Sequence, residues 1–134
     1  MRRKLLVFFS LISSLVWFLN CSIPIEQQRN MIPSKSFVSE EWESSDLRWS
    51  NRPGMARDLI KRNVLIGKTR IEIFELLGEP EFVEDNQSNQ ITYELEQLFQ
   101  RGVDLAAVEN LKIKFNSMDT VEKAEIEFLK IDWR

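Results

Sequence analysis

Cys21 is the only cysteine in this chain of 134 residues, and there is no histidine. Those two facts remove most familiar chemistry. Without imidazole the chain lacks the commonest general base and the commonest metal ligand. A lone thiol cannot close an internal disulfide. No nucleophile–base–orienter set can be assembled, and a Ser–Lys pair by itself carries no weight. Among carboxylates, Asp104 and Glu109 could approach one another, but capping or solvation is their plainer role. The run Asp85-Asn86-Gln87-Ser88-Asn89 is rich in oxygen. It lacks the spacing and terminal Glu of a calcium loop, so it reads as a turn. No Gly-rich phosphate loop is present. The expectation is no catalytic residue, no cofactor and no metal.

The chemistry that remains for Cys21 is set by its neighbours. Arg2, Arg3 and Lys4 precede an apolar run from Leu5 to Leu19, broken only by serines, and Asn20 and Cys21 follow. A basic start, an apolar stretch of about 15 residues and a cleavage zone make a secretory signal. A Cys at that place is where bacterial lipoproteins are cut and acylated. The expected processing is therefore cleavage of a signal peptide, residues 1–20, and lipid attachment at Cys21. Phe18-Leu19-Asn20-Cys21 departs from the usual lipobox, with Leu one place too close and Asn larger than the usual small residue. An uncleaved anchor and an ordinary signal peptide with an incidental Cys are the alternatives. The run is short for a spanning helix, which needs about 20 residues.

Charge narrows the partners. The whole chain carries 18 basic and 21 acidic residues; losing residues 1–20 takes three basic ones and moves the balance from −3 to −6. That disfavours nucleic acid, whose phosphates need a basic footprint, and a polybasic attachment to lipid. Residues 21–36 are polar, aperiodic and contain Pro24 and Pro33, which reads as a flexible tether. The domain is expected over 37–134. Phe37, Val38 and Trp42 open it in an acidic, serine-rich stretch reaching Trp49. These aromatics either pack on the domain or form a recognition segment. In the second case Trp42, Arg48 and Trp49 would be anchors of a partner surface.

Hydrophobic periodicity predicts the elements. A first helix starts near Ser50 to Pro53 and runs to about Asn63, with Met55, Leu59 and Ile60 inward and Arg57, Lys61 and Arg62 outward. A second follows Gly67. Thr69 and Glu72 make a capping box, Ile73, Phe74 and Leu77 the buried stripe, and Gly78 with Pro80 the stop. The period then falls to two. Ile91, Tyr93 and Leu95, then Leu111, Ile113 and Phe115, then Ala124, Ile126 and Phe128 mark three strands. Residues 99–109 read as a long connection and 116–120 as a hairpin loop. A meander would set Lys112 and Lys114 between Glu94 and Glu96 on one side and Glu125 and Glu127 on the other. The expected fold is α+β: a small two-layer ααβββ domain, two helices packed on a three-stranded antiparallel sheet, after a signal peptide and tether.

The stretch from Leu65 to Pro80 resembles the pattern of the SmpA/OmlA (BamE-like) family of outer-membrane lipoprotein domains. That pattern is a Gly, a Ser/Thr cap, an amphipathic helix and Leu-Gly-x-Pro, matched here by Gly67, Thr69, Leu77, Gly78 and Pro80. The resemblance covers about 90 residues. It implies a non-enzymatic scaffold on the periplasmic face of the outer membrane. There it would be held by palmitate-type lipid and would support envelope or β-barrel protein assembly through protein contacts. The alternative is a stand-alone binding or inhibitor-like periplasmic module. A small enzyme ranks last.

Overall fold

The computed structural model describes residues 24–46, 50–84, 89–100 and 104–132. They fall into two compact units, one ending at Met31 and one beginning at Ile32. Cys21, the apolar run before it, Arg48 and Trp49 lie outside the described residues. No described helix is long and apolar enough to cross a membrane.

The stretch expected as a tether holds local structure in its described part. Ile25–Asn30 forms a short helix, α1, directly after Pro24. In the second unit the chain is already committed at Lys35, whose N–H donates to the Gly54 carbonyl at 3.0 Å. A Cβ at Gly54 would stand 2.6 Å from the Pro33 carbonyl oxygen. Only glycine lets the two backbones approach so closely.

Helix α2 (Ser39–Ser44) is six residues long and buries only Trp42. A helix this short is not stable by itself, so packing around the indole must hold it. Helix α3 spans Arg52–Lys61 with Pro53 in its first turn. The Ser50 hydroxyl accepts the Arg52 N–H at 3.0 Å, and Asn63 ends the element at φ 55°. Helix α4 spans Arg70–Leu77.

The sheet is antiparallel, in the order β1 (Phe82–Val83), β2 (Gln90–Gln100), β3 (Asp104–Phe115), β4 (Val121–Lys130). The α+β class is as expected, but the inventory is larger. There are four helices and four strands among the described residues, not two and three. The additional strand β1 pairs two residues with Thr92 and Ile91 at the sheet edge. Two residues are too few to show a period. The expected long connection over 99–109 is also absent. Phe99 pairs with Leu105 and Gln100 with Asp104, so this stretch belongs to two long strands. The 116–120 hairpin is found, with Asn116 Oδ1 accepting the N–H groups of Met118 and Thr120.

The helices cover one sheet face. Met55, Ala56 and Leu59 of α3 and Ile73 and Leu77 of α4 meet Ile91, Tyr93, Leu95, Leu111, Ile113, Phe115 and Val121 in one core with Trp42. The register corrects the expected charge ladder: it keeps Lys112, Lys114 and Glu94 on the other face but not Glu96. Lys112 lies opposite Thr92 and Glu125, and Lys114 opposite Gln90 and Lys123. Among the described residues their ion pairs run toward β4, Lys112 to Glu127 at 2.9 Å and Lys114 to Glu122 at 3.0 Å. Glu94 and Glu96 stand farther along, opposite Asn110 and Glu109.

Candidate functional site

The Gly67-to-Pro80 motif folds as a docking device. The Thr69 hydroxyl accepts the Glu72 N–H, and the Glu72 carboxylate accepts the Thr69 N–H at 2.7 Å, completing the capping box. That N–H, first among the causes, holds the Glu72 carboxyl below its usual range. Gly67, at φ 81°, sends its N–H to the Val121 carbonyl, while the Val121 N–H reaches the Lys68 carbonyl at 2.8 Å. The start of α4 is thereby fixed to the start of β4. Arg70 adds an ion pair to Asp119 at 2.8 Å and lies 4.1 Å over the Phe115 ring. Leu77 is buried. Gly78 has positive φ as expected, but with ψ −169° it sits outside the left-handed helical region. That region of φ and ψ is almost exclusive to glycine. Gly67, Thr69, Glu72, Leu77 and Gly78 are thus engaged within the domain itself.

A second assembly surrounds Trp42. The indole is fully buried, so Trp42 belongs to the core and supplies no partner surface. Its Nε1–H donates to the Leu77 carbonyl at 3.0 Å, and it packs between Phe37 and Tyr93. The Tyr93 hydroxyl donates to the Gly78 carbonyl at 2.7 Å. Burial first, then the charges of Glu81 and Glu79, pushes that phenol well above its usual range, so it remains a donor. Arg52 lies against the indole and closes the assembly. Its Nε donates to the Trp42 carbonyl at 2.8 Å. Its Nη1 donates to the Glu94 carbonyl at 2.9 Å and to Glu81 at 2.6 Å. Glu81 in turn accepts the Glu94 N–H at 3.0 Å.

The third assembly is the one with unspent chemistry. Glu109 is fully buried on the core face of β3, in phase with Leu111, Ile113 and Phe115. Its cross-strand neighbour is Glu96 of β2, not Asp104, which pairs with Gln100. Arg57 of α3 reaches both oxygens of Glu109, with Nη2 at 3.0 and 3.3 Å. This corrects the outward placement of Arg57. The Arg57 Nη1 and the Glu96 Oε2 are buried without a hydrogen-bond partner. Burial, then the Glu109 charge, raises the Glu96 carboxyl to about 7 against the pull of Arg57. A carboxyl poised there can hold or release a proton near neutrality.

Sequence reasoning missed this trio for a specific reason. Glu109 extends the inward alternation of Leu111, Ile113 and Phe115 by one step, so a longer strand would have shown it. Glu96 carries no such sign, because it is out of phase with Ile91, Tyr93 and Leu95. A register shift between Glu94 and Glu96 leaves Leu95 unpaired and turns Glu96 to the core face.

No described group of His, Cys, Asp and Glu is arranged to hold a metal ion. A hollow lined by Leu59, Ile60, Asn63, Leu65, Ile66 and Ala124 holds about 50 Å³, far below the ~300–1,000 Å³ of ligand pockets. No protein-family model, no curated protein and no solved structure matches this chain.

Proposed function

We propose that this chain is a lipid-anchored envelope protein whose domain binds another protein and turns over no substrate. The observation that carries the reading is a coincidence within one short chain. A lone Cys21 follows a basic and apolar leader, and the motif from Gly67 to Pro80 resembles that of outer-membrane lipoprotein domains. In support, the order α3, α4, β2, β3, β4 runs as the two-layer ααβββ scaffold of that family would. Strand β1 and helices α1 and α2 are then additions to it. On this reading the domain sits at the periplasmic face of an outer membrane and assists envelope or β-barrel protein assembly.

Trp42 is committed to the core, so Arg48 and Trp49 remain the proposed partner anchors, being the aromatic and arginine types that dominate such contacts. The test has two arms. Labelled palmitate should enter the wild-type chain in a bacterial host and be lost in Cys21→Ser. A photo-crosslinking residue at position 49 should capture a discrete envelope protein, and the capture should weaken with Arg48→Ala. Palmitate retained without Cys21 overturns the anchor. Absence of any crosslinked species from the native envelope overturns the partner reading.

A further inference from the structure

We propose that Glu96 holds a proton beside the Glu109 carboxylate, and that this proton latches the outer half of the β2–β3 hairpin onto α3. The geometry makes the case. The two carboxyls are direct cross-strand partners on the core face, where like charges repel and water screens them less than at the surface. Among the described residues, Arg57 is a cation that acts on both. Arg57 is committed through Nη2 to both oxygens of Glu109, so Glu96 is the carboxyl left to carry the proton. A buried Glu96 Oε2 with no donor fits a neutral carboxyl better than a charged one.

Among the described residues, the charged groups around Glu96 are few. From β3 it faces Glu109, and from α3 it faces Arg57. From β4, Phe128 lies opposite Glu109, and Lys130 lies one step beyond, opposite Ala107. The Glu109 charge and burial favour the proton, and Arg57 opposes it. Loss of the proton sets a second negative charge beside that of Glu109. The strand segments nearest the pair, 96–100 and 104–109, are then pushed from α3, while the Trp42 assembly, which meets β2 at Tyr93 and Glu94 before the register shift, keeps its own hydrogen bonds. The sign follows from linkage. A carboxyl that binds its proton more tightly when folded stabilises the fold at low pH, and this contribution is lost as pH rises through about 7.

The decisive variant is Glu96→Gln, which imitates the protonated carboxyl in shape and charge. In the full chain, kept in a neutral detergent, the wild-type melting temperature should fall between pH 5.5 and 8.5. Glu96→Gln should remove that fall and match or exceed the wild type at pH 8.5. Hydrogen exchange, corrected for its intrinsic pH dependence, should accelerate with pH at residues 96–109 in the wild type only. The Glu96 carboxyl carbon should titrate near neutrality by NMR, and at lower pH in Glu109→Gln. A Glu96 midpoint in the ordinary carboxylate range overturns the proposal. So does a Glu96→Gln variant that keeps the wild-type slope. Both are independent of whether Cys21 is acylated or a partner is bound.

Discussion

Trp42 and Leu77 lie 35 residues apart and are joined by one buried hydrogen bond, indole Nε1–H to backbone carbonyl at 3.0 Å. The acceptor is one of the last carbonyls of α4, which no intrahelical N–H can reach. A helix end that would otherwise need water is thus satisfied by the side chain that fills the core. The next carbonyl, that of Gly78, is taken by the Tyr93 hydroxyl. Trp42 and Tyr93 touch edge to face, so α2, α4 and β2 meet at one aromatic pair.

Trp42 therefore has two separable contributions. Trp42→Ala removes the buried ring and should cost about 3–5 kcal/mol. Trp42→Phe keeps much of the apolar bulk but leaves the Leu77 carbonyl buried without a donor, at about 1–3 kcal/mol. Urea denaturation of both variants checks this. A Trp42→Phe loss near zero would mean that the hydrogen bond contributes nothing beyond packing.

Gly78 offers a cleaner separation still. A Cβ there would meet no atom within 4 Å, so Gly78→Ala introduces no steric clash with its surroundings. Its cost should come from the backbone alone, with φ 77° and ψ −169° in a region L-residues avoid. About 1–3 kcal/mol is expected, and more for Gly78→Val, whose branched side chain tolerates positive φ poorly. A semisynthetic chain with D-alanine at position 78 should recover most of the loss. If D- and L-alanine destabilise alike, strain at this residue is not the cause.

These local features were legible because each has its own chemistry. Thr69 and Glu72 announce a cap, Gly78 and Pro80 a stop, and the alternation from Ile91 to Leu95 a strand. Long-range relationships had no such marks. Arg52 reads as an ordinary helix-start arginine, yet it joins Trp42, Glu81 and Glu94 across three elements. Phe82–Val83 is too short for a period, and the shift at Leu95 carries no Gly or Pro to betray it. The site trio fell between these cases. Glu109 could be placed from strand phase, but Glu96 and Arg57 needed the register and the helix position.

Arg52 and Glu81 should behave as a coupled pair. Both are largely shielded, with side-chain exposures of 10% and 29%. Arg52→Met strands the Trp42 and Glu94 carbonyls together with the Glu81 carboxylate, and a loss of about 3 kcal/mol is expected. Glu81→Gln, which keeps an acceptor for the Glu94 N–H, should cost less. A double-mutant cycle read by urea denaturation should give a coupling above about 0.5 kcal/mol. Simple additivity would show that Arg52 acts through Trp42 and the carbonyls alone.

The acid side of the stability profile should belong to different residues from the neutral side. Asp58 accepts the Phe37 N–H at 3.1 Å and pairs with Arg62 at 2.7 Å. The Arg62 hydrogen bond, only partly opposed by burial, holds its carboxyl below the usual value. Glu72 is lowered in the same way by the Thr69 N–H. For such groups the unfolded chain binds the proton more readily. Their stabilisation is present above the ordinary carboxylate range and is lost as pH falls through the depressed folded values. Asp58→Asn should therefore lower the melting temperature at pH 6. The gap to wild type should narrow as pH falls below the ordinary carboxylate range and through the depressed folded value. Glu72→Gln should show the same convergence without affecting the segment at Phe37. Melting curves from pH 2.5 to 6 decide the matter. A gap that stays constant down to pH 2.5 would mean that the Asp58 charge contributes nothing, and that Asn fails there only for reasons of shape.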